Sequence, residues 1–100
     1  MTFEVRIWPK TAEAINILPD KSRRIIKDAL KGLAEDPFPG QHGDKEKLVL
    51  RKGVVIYRIH ISRSYRVFYD IRQEEKLILV HDVLTIEQAH KKYEIGRAHV

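Results

Sequence analysis

The chain contains no cysteine, so neither disulfides nor zinc–thiolate sites can hold it together. That suits a reducing cytoplasm, the expected compartment. No apolar run approaches the roughly 18 residues of a membrane span, and the start lacks a signal-peptide pattern, so no membrane role is expected. Neither a glycine-rich phosphate loop nor a serine-nucleophile motif occurs. His42, His81 and His90 stand at no spacing typical of a metal site, so no metal or other cofactor is expected. Internal repeats and low-complexity segments are also missing. What the chain has in excess is positive charge: 19 Lys and Arg against 14 Asp and Glu, a net +5. That balance favours an anionic partner such as nucleic acid or an acidic protein segment. With 100 residues, 43% of them hydrophobic, it has material for one small core.

The apolar pattern divides the chain. "FEVRIW" alternates, with Phe3, Val5 and Ile7 on one face, and predicts a first strand that Pro9 ends. "KTAEAINIL" allows a short helix with Ala12, Ile15 and Leu18 on one side. After the Pro19–Asp20 break, with Asp20 as N-cap, "KSRRIIKDALKGLAED" predicts the clearest helix. Its Ile26, Leu30 and Leu33 repeat at spacings of four and three, widened by Ile25 and Ala29, and it should stop before Pro37. From Lys45 the period becomes two. Strands are expected near 48–51, 54–61, 65–71 and 77–83, with turns short enough to demand antiparallel meander pairing. "TIEQAHKKY" predicts a last helical turn capped by Thr85. The expected fold is α+β: an N-terminal strand, a two-helix hairpin on one sheet face, an antiparallel meander and a short C-terminal helical turn.

The stretch "YRIHISRSYRVFYD" carries the candidate site. Alternation puts Tyr57, Ile59 and Ile61 on one face and Ile56, Arg58 and His60 on the other, while Val67 and Tyr69 oppose Arg66, Phe68 and Asp70. With the apolar sets against the helices, Arg58, His60 and Arg66 emerge together on the open face. Cross-strand neighbours lie about 5 Å apart, close enough for two guanidiniums to grip one phosphate beside an imidazole that can move a proton. The plain alternative is a solvated face of a one-sided antiparallel sheet.

The same residues resemble the RelE/ParE superfamily, the small toxins of bacterial and archaeal toxin–antitoxin pairs. The resemblance runs from Phe3 to Tyr93, through "FEVRIWPKTAEAINILP", "LAEDPFPG", "KEKL" and above all "YRIHISRSYRVFYDI". This last stretch is similar to the family's "YRIRVGDYRVIYEI" pattern. The resemblance implies a RelE-like domain over residues 1–93, neutralised by a cognate antitoxin that is acidic and helix-forming. For RelE-type members it further implies metal-free cleavage of mRNA in the ribosomal A site by attack of a ribose 2′-OH on the adjacent phosphate. For ParE-type members it implies inhibition of DNA gyrase instead, and an inactive relative would keep antitoxin binding alone. Carried over by position, Arg58, His60, Arg66 and Tyr93 are the catalytic candidates. Lys45, Lys47, Arg63, His90, Lys91 and Lys92 are the candidates for holding RNA phosphate. Many active members follow the last strand with a "VGHR"-like stretch; here the chain reads "DVLTIEQAHKKY", with no arginine at that point.

The last seven residues, "EIGRAHV", match a different source. The common sequencing adapter AGATCGGAAGAGCACACGTC, read after a G and followed by TGA, translates as those residues and a stop. Residues 94–100 are therefore expected to be a non-native tail, and Arg97 and His99 take no part in the site.

Overall fold

A computed structural model of the chain describes residues 2–40 and 44–93. His42 and the expected tail lie outside the described residues. The element order is β1 (Glu4–Ile7), α1 (Pro9–Asn16), α2 (Asp20–Glu35), β2 (Lys45–Val49), β3 (Val55–Ile61), β4 (Tyr65–Arg72), β5 (Leu77–Thr85) and α3 (Ile86–Lys92). The five strands form one sheet in the order β1-β5-β4-β3-β2. β2 to β5 are the expected antiparallel meander, and β1 adds to β5 in parallel. That pairing makes the sheet mixed, which short local patterns could not reveal.

Proline and side-chain caps set the helix starts. Pro9 opens α1 at its first position, where a missing N–H costs nothing. Asp20 is the first residue of α2 rather than its cap: Pro19 holds that position, and the Asp20 carboxylate pairs instead with Arg23 one turn on. Thr85 caps α3 in a reciprocal box. Its hydroxyl accepts from the Gln88 N–H, and the Gln88 side chain accepts from the Thr85 N–H. The second strand starts earlier than its apolar residues suggested. It ends at Val49 because Lys52 (φ 68°) and Gly53 (φ 78°) take the left-handed turn that sends the chain back into β3.

The sheet has a core on each side. On one, Ile15 of α1 and Ile26, Leu30 and Leu33 of α2 pack against Ile59, Ile61, Val67, Tyr69, Ile78 and Val80. Tyr69 is fully buried there, and its hydroxyl donates to the Pro37 carbonyl at 2.7 Å, pinning the chain as it leaves α2. On the other, Ala89 of α3 closes a smaller cluster of Leu48, Ile56 and Phe68, flanked by Leu50, Leu84 and Tyr93. The face expected to be open is thus partly covered by α3.

A β-bulge joins the two sides. Phe68 pairs with Asp82 but Tyr69 pairs with Val80, so His81 is the extra residue on β5. Its freed carbonyl accepts a hydrogen bond from the Thr11 hydroxyl at 2.6 Å, which fastens α1 to the sheet.

Candidate functional site

Directly paired residues on neighbouring strands point the same way, so register alone builds the site. One lateral row runs Glu46, Arg58, Phe68, Asp82 across β2, β3, β4 and β5; the next runs His60, Arg66, Leu84. Arg58, His60 and Arg66 therefore stand together on the α3 side of the sheet.

Their surroundings differ. Arg58 is largely buried, its side chain 16% exposed, and its guanidinium pairs with the Glu46 carboxylate. Its Nε is buried without a partner among the described residues. Arg66 donates to the neighbouring Tyr65 carbonyl at 2.9 Å and has no carboxylate partner among the described residues, so its charge is uncompensated. His60 Nε2 is buried, unbonded and 3.9 Å from the Glu46 carboxylate. Burial, and then the flanking Arg66 and Arg58 charges, hold the His60 imidazole below its ordinary pKa, against the pull of Glu46 and Asp44. The imidazole is consequently neutral at pH 7, able to accept a proton.

Tyr93 belongs to the other end of the first row. Its ring stacks on Phe68 with centroids 4.0 Å apart, and its hydroxyl donates to Asp82. Burial, and then that bond, push the phenol above its ordinary pKa, so it stays protonated. Lys92 reaches the second oxygen of Asp82 at 3.2 Å. Exposed His90 and Lys91 share the last turn of α3 with Lys92, and Arg63 is exposed in the turn between β3 and β4.

Two of the expected phosphate binders lie elsewhere. Lys45 pairs with Ile59 and Lys47 with Tyr57, so both belong to the face on which α1 and α2 pack. Lys45 is committed there, its Nζ 2.7 Å from the Asp36 carbonyl and 3.5 Å from the Asp36 carboxylate. Sequence reasoning missed Glu46 and Asp82. Placing the start of the strand at 48 hid Glu46, although it shares the parity of buried Leu48. The bulge hid Asp82.

This α+β fold matches solved structures of RelE toxins. The chain superposes on the toxin of an archaeal RelE–RelB complex from Pyrococcus horikoshii OT3 with a TM-score of 0.71 and 26% identity, covering 98% of this chain and 100% of that one. It also matches the toxin–antitoxin complex RelBE2 from Mycobacterium tuberculosis at a TM-score of 0.67, with 17% identity over 85% of this chain and 99% of that one. A mutant E. coli RelE toxin in the free state matches at 0.61, with 21% identity over 90% of each chain. No curated protein matches it in sequence. The family model described as "ParE toxin of type II toxin-antitoxin system, parDE" matches residues 5–90. The chain therefore belongs to the RelE/ParE superfamily and is a toxin of a type II toxin–antitoxin system of that type. None of its described helices is long and apolar enough to cross a membrane.

Proposed function

We propose that this toxin is a metal-independent endoribonuclease that cleaves mRNA at the ribosomal A site in the cytoplasm by 2′-OH attack on the adjacent phosphate. The observation that carries this reading is the direct pairing of neutral His60 with uncompensated Arg66. An in-line displacement needs a base for the 2′-OH, a cation on the five-coordinate phosphorus and an acid for the leaving 5′-oxygen. Arg66 supplies the cation, forking two N–H groups onto the phosphate oxygens. Two groups can take the 2′-OH proton: the His60 imidazole and the half-exposed Glu46 carboxylate beside it. Arg58 holds Glu46 in place and adds positive charge to the row. Tyr93 keeps its proton and is the candidate acid, provided the leaving oxygen replaces Asp82 as its acceptor. A cognate antitoxin, acidic and helix-forming, would neutralise this basic face.

The test is primer extension on mRNA in a translating extract. Arg66→Ala should abolish cleavage and growth arrest while the circular dichroism stays that of the wild type. Unchanged cleavage in that variant sinks the assignment. A second reading, gyrase inhibition, is favoured by the absence of an arginine between β5 and Tyr93, the last described residue, and by the ParE description of the family model. A supercoiling assay run beside the primer extension separates the two, and silence in both leaves an inactive antitoxin-binding relative.

A further inference from the structure

A second surface of the molecule has the makings of a ligand site. Trp8, between β1 and α1, is 53% exposed, an unusual position for the largest aromatic side chain. Its indole stacks on the His81 imidazole, centroids 6.1 Å apart and planes inclined by 27°. The two rings line an open cleft of about 610 Å³, with Lys10, Lys92, Asp82 and Tyr93 as further walls. That volume lies within the roughly 300–1,000 Å³ of small-ligand sites. The single carboxylate among these residues, Asp82, is already engaged by Tyr93 and Lys92, while exposed Lys10 pairs with no acid among the described residues. The cleft therefore presents a flat aromatic surface in a positive field, the combination that holds an unpaired base and its phosphate.

Its position relative to Arg66 matters. Asp82 and Tyr93 are shared between the cleft and the row that starts at Glu46. Asp82 stands one strand over from Arg66 and two residues along, since Arg66 pairs with Leu84. With strands about 4.8 Å apart and about 3.4 Å per residue, that separation is roughly 8 Å. A strand whose phosphate lies at Arg66 can carry a neighbouring base into the cleft.

We propose that the Trp8 cleft is a base-stacking subsite for single-stranded RNA, seating a nucleotide adjacent to the one whose phosphate Arg66 holds. The assignment rests on the reading of this toxin as one that acts on RNA. Trp8 is the sole tryptophan of the chain, so its fluorescence reports on the cleft alone.

The experiment titrates the full chain with a labelled eight-nucleotide RNA, 2′-O-methylated throughout so that it cannot be cleaved. Anisotropy and tryptophan emission are followed together in wild type, Trp8→Ala, Trp8→Phe and Arg66→Ala. Quenching should saturate at the same RNA concentration as the anisotropy. Trp8→Ala should bind roughly 5- to 100-fold more weakly, with Trp8→Phe retaining most of the affinity. Both Trp8 variants should keep the wild-type urea midpoint, because the ring is half in solvent. Equal binding by wild type and Trp8→Ala, with emission unchanged, overturns the subsite; binding that Arg66→Ala still loses then leaves the RNA reading standing. No binding by wild type removes both. An emission change with a tryptophan-free amphipathic peptide of glutamate and leucine, but none with RNA, reassigns the cleft to a protein partner and overturns the proposal.

Discussion

The Tyr93–Asp82 hydrogen bond fastens the end of α3 to the sheet, and its worth can be measured. α3 has seven residues, too few to hold together alone in water, so its order depends on what it touches. Those contacts are Ala89 in the small core, the Tyr93 ring on Phe68 and the two bonds to Asp82. Tyr93→Phe keeps the ring stack and removes only the hydroxyl. A hydrogen bond to an ionised acceptor contributes about 1.5–3 kcal/mol, and Asp82 is largely shielded, its side chain 17% exposed. Against a total stability of about 5–15 kcal/mol for a typical domain, the change should be plain in urea unfolding. With a slope of about 1–3 kcal/mol per molar, the midpoint should fall by about 1 M. Asp82→Ala should cost a similar amount plus the exposed Lys92 pair, which adds about 0.2–1 kcal/mol. The two changes remove the same bond, so the double variant should be scarcely less stable than Asp82→Ala alone. Losses that add to within about 0.5 kcal/mol would refute the bond and with it the account of how α3 is held.

Further tests address the large core, the alkaline limit and the site. Ile26 is fully buried between α2 and the sheet, so Ile26→Ala should cost about 2–5 kcal/mol by urea unfolding with secondary structure retained. Tyr69 and Tyr93 both resist ionisation when folded. The folded chain therefore binds more protons than the unfolded one above the ordinary tyrosine value near 10. Stability should be intact below that pH and fall as pH rises beyond it, with Tyr69 and Tyr93 absorbing as phenolates only on unfolding. His60 gives the opposite sign: its folded pKa is depressed, so its stabilising share is present above pH ~6.5 and is lost as pH falls from there through the lower folded value. His60→Gln should flatten the slope on the acid side of pH 7 in the same unfolding series. Glu46→Gln removes the carboxylate that pairs with Arg58 and lies 3.9 Å from His60. It should tighten binding of uncleavable RNA a few-fold and slow cleavage if Glu46 is the base; weaker binding would contradict the electrostatic account.

The sequence announced its core more clearly than its site. Ile26, Leu30 and Leu33 were readable because a helix buries one stripe, and Ile59, Ile61, Val67 and Tyr69 because a strand buries alternate residues. The same alternation put Arg58, His60 and Arg66 on a common side, and the register bears that grouping out. Three things were not legible. The parallel pairing of β1 with β5 joins residues about seventy positions apart and leaves no local trace. Covering of the second face rests on Ala89 and the Tyr93 ring, carried by a helix too short to show a stripe. The commitments of Arg58 to Glu46 and of Lys45 to Asp36 depend on which charges become neighbours after folding.

Strand parity is a count, and the bulge at His81 changes that count by one. Before it, Ile78 and Val80 face α1 and α2; after it, Val83 takes that side, while Asp82 and Leu84 face α3. Removing His81 would join Val80 directly to Asp82 opposite Tyr69 and Phe68, an unbroken ladder that leaves every later residue of β5 on its present side. A regular strand that kept His81 would instead turn Asp82 into the helix-packed core, and α3 would leave it in the opposite phase. The extra residue thus sets the phase of the strand and also supplies the carbonyl that holds Thr11, so its deletion would cost the tie between α1 and the sheet rather than the placement of Asp82.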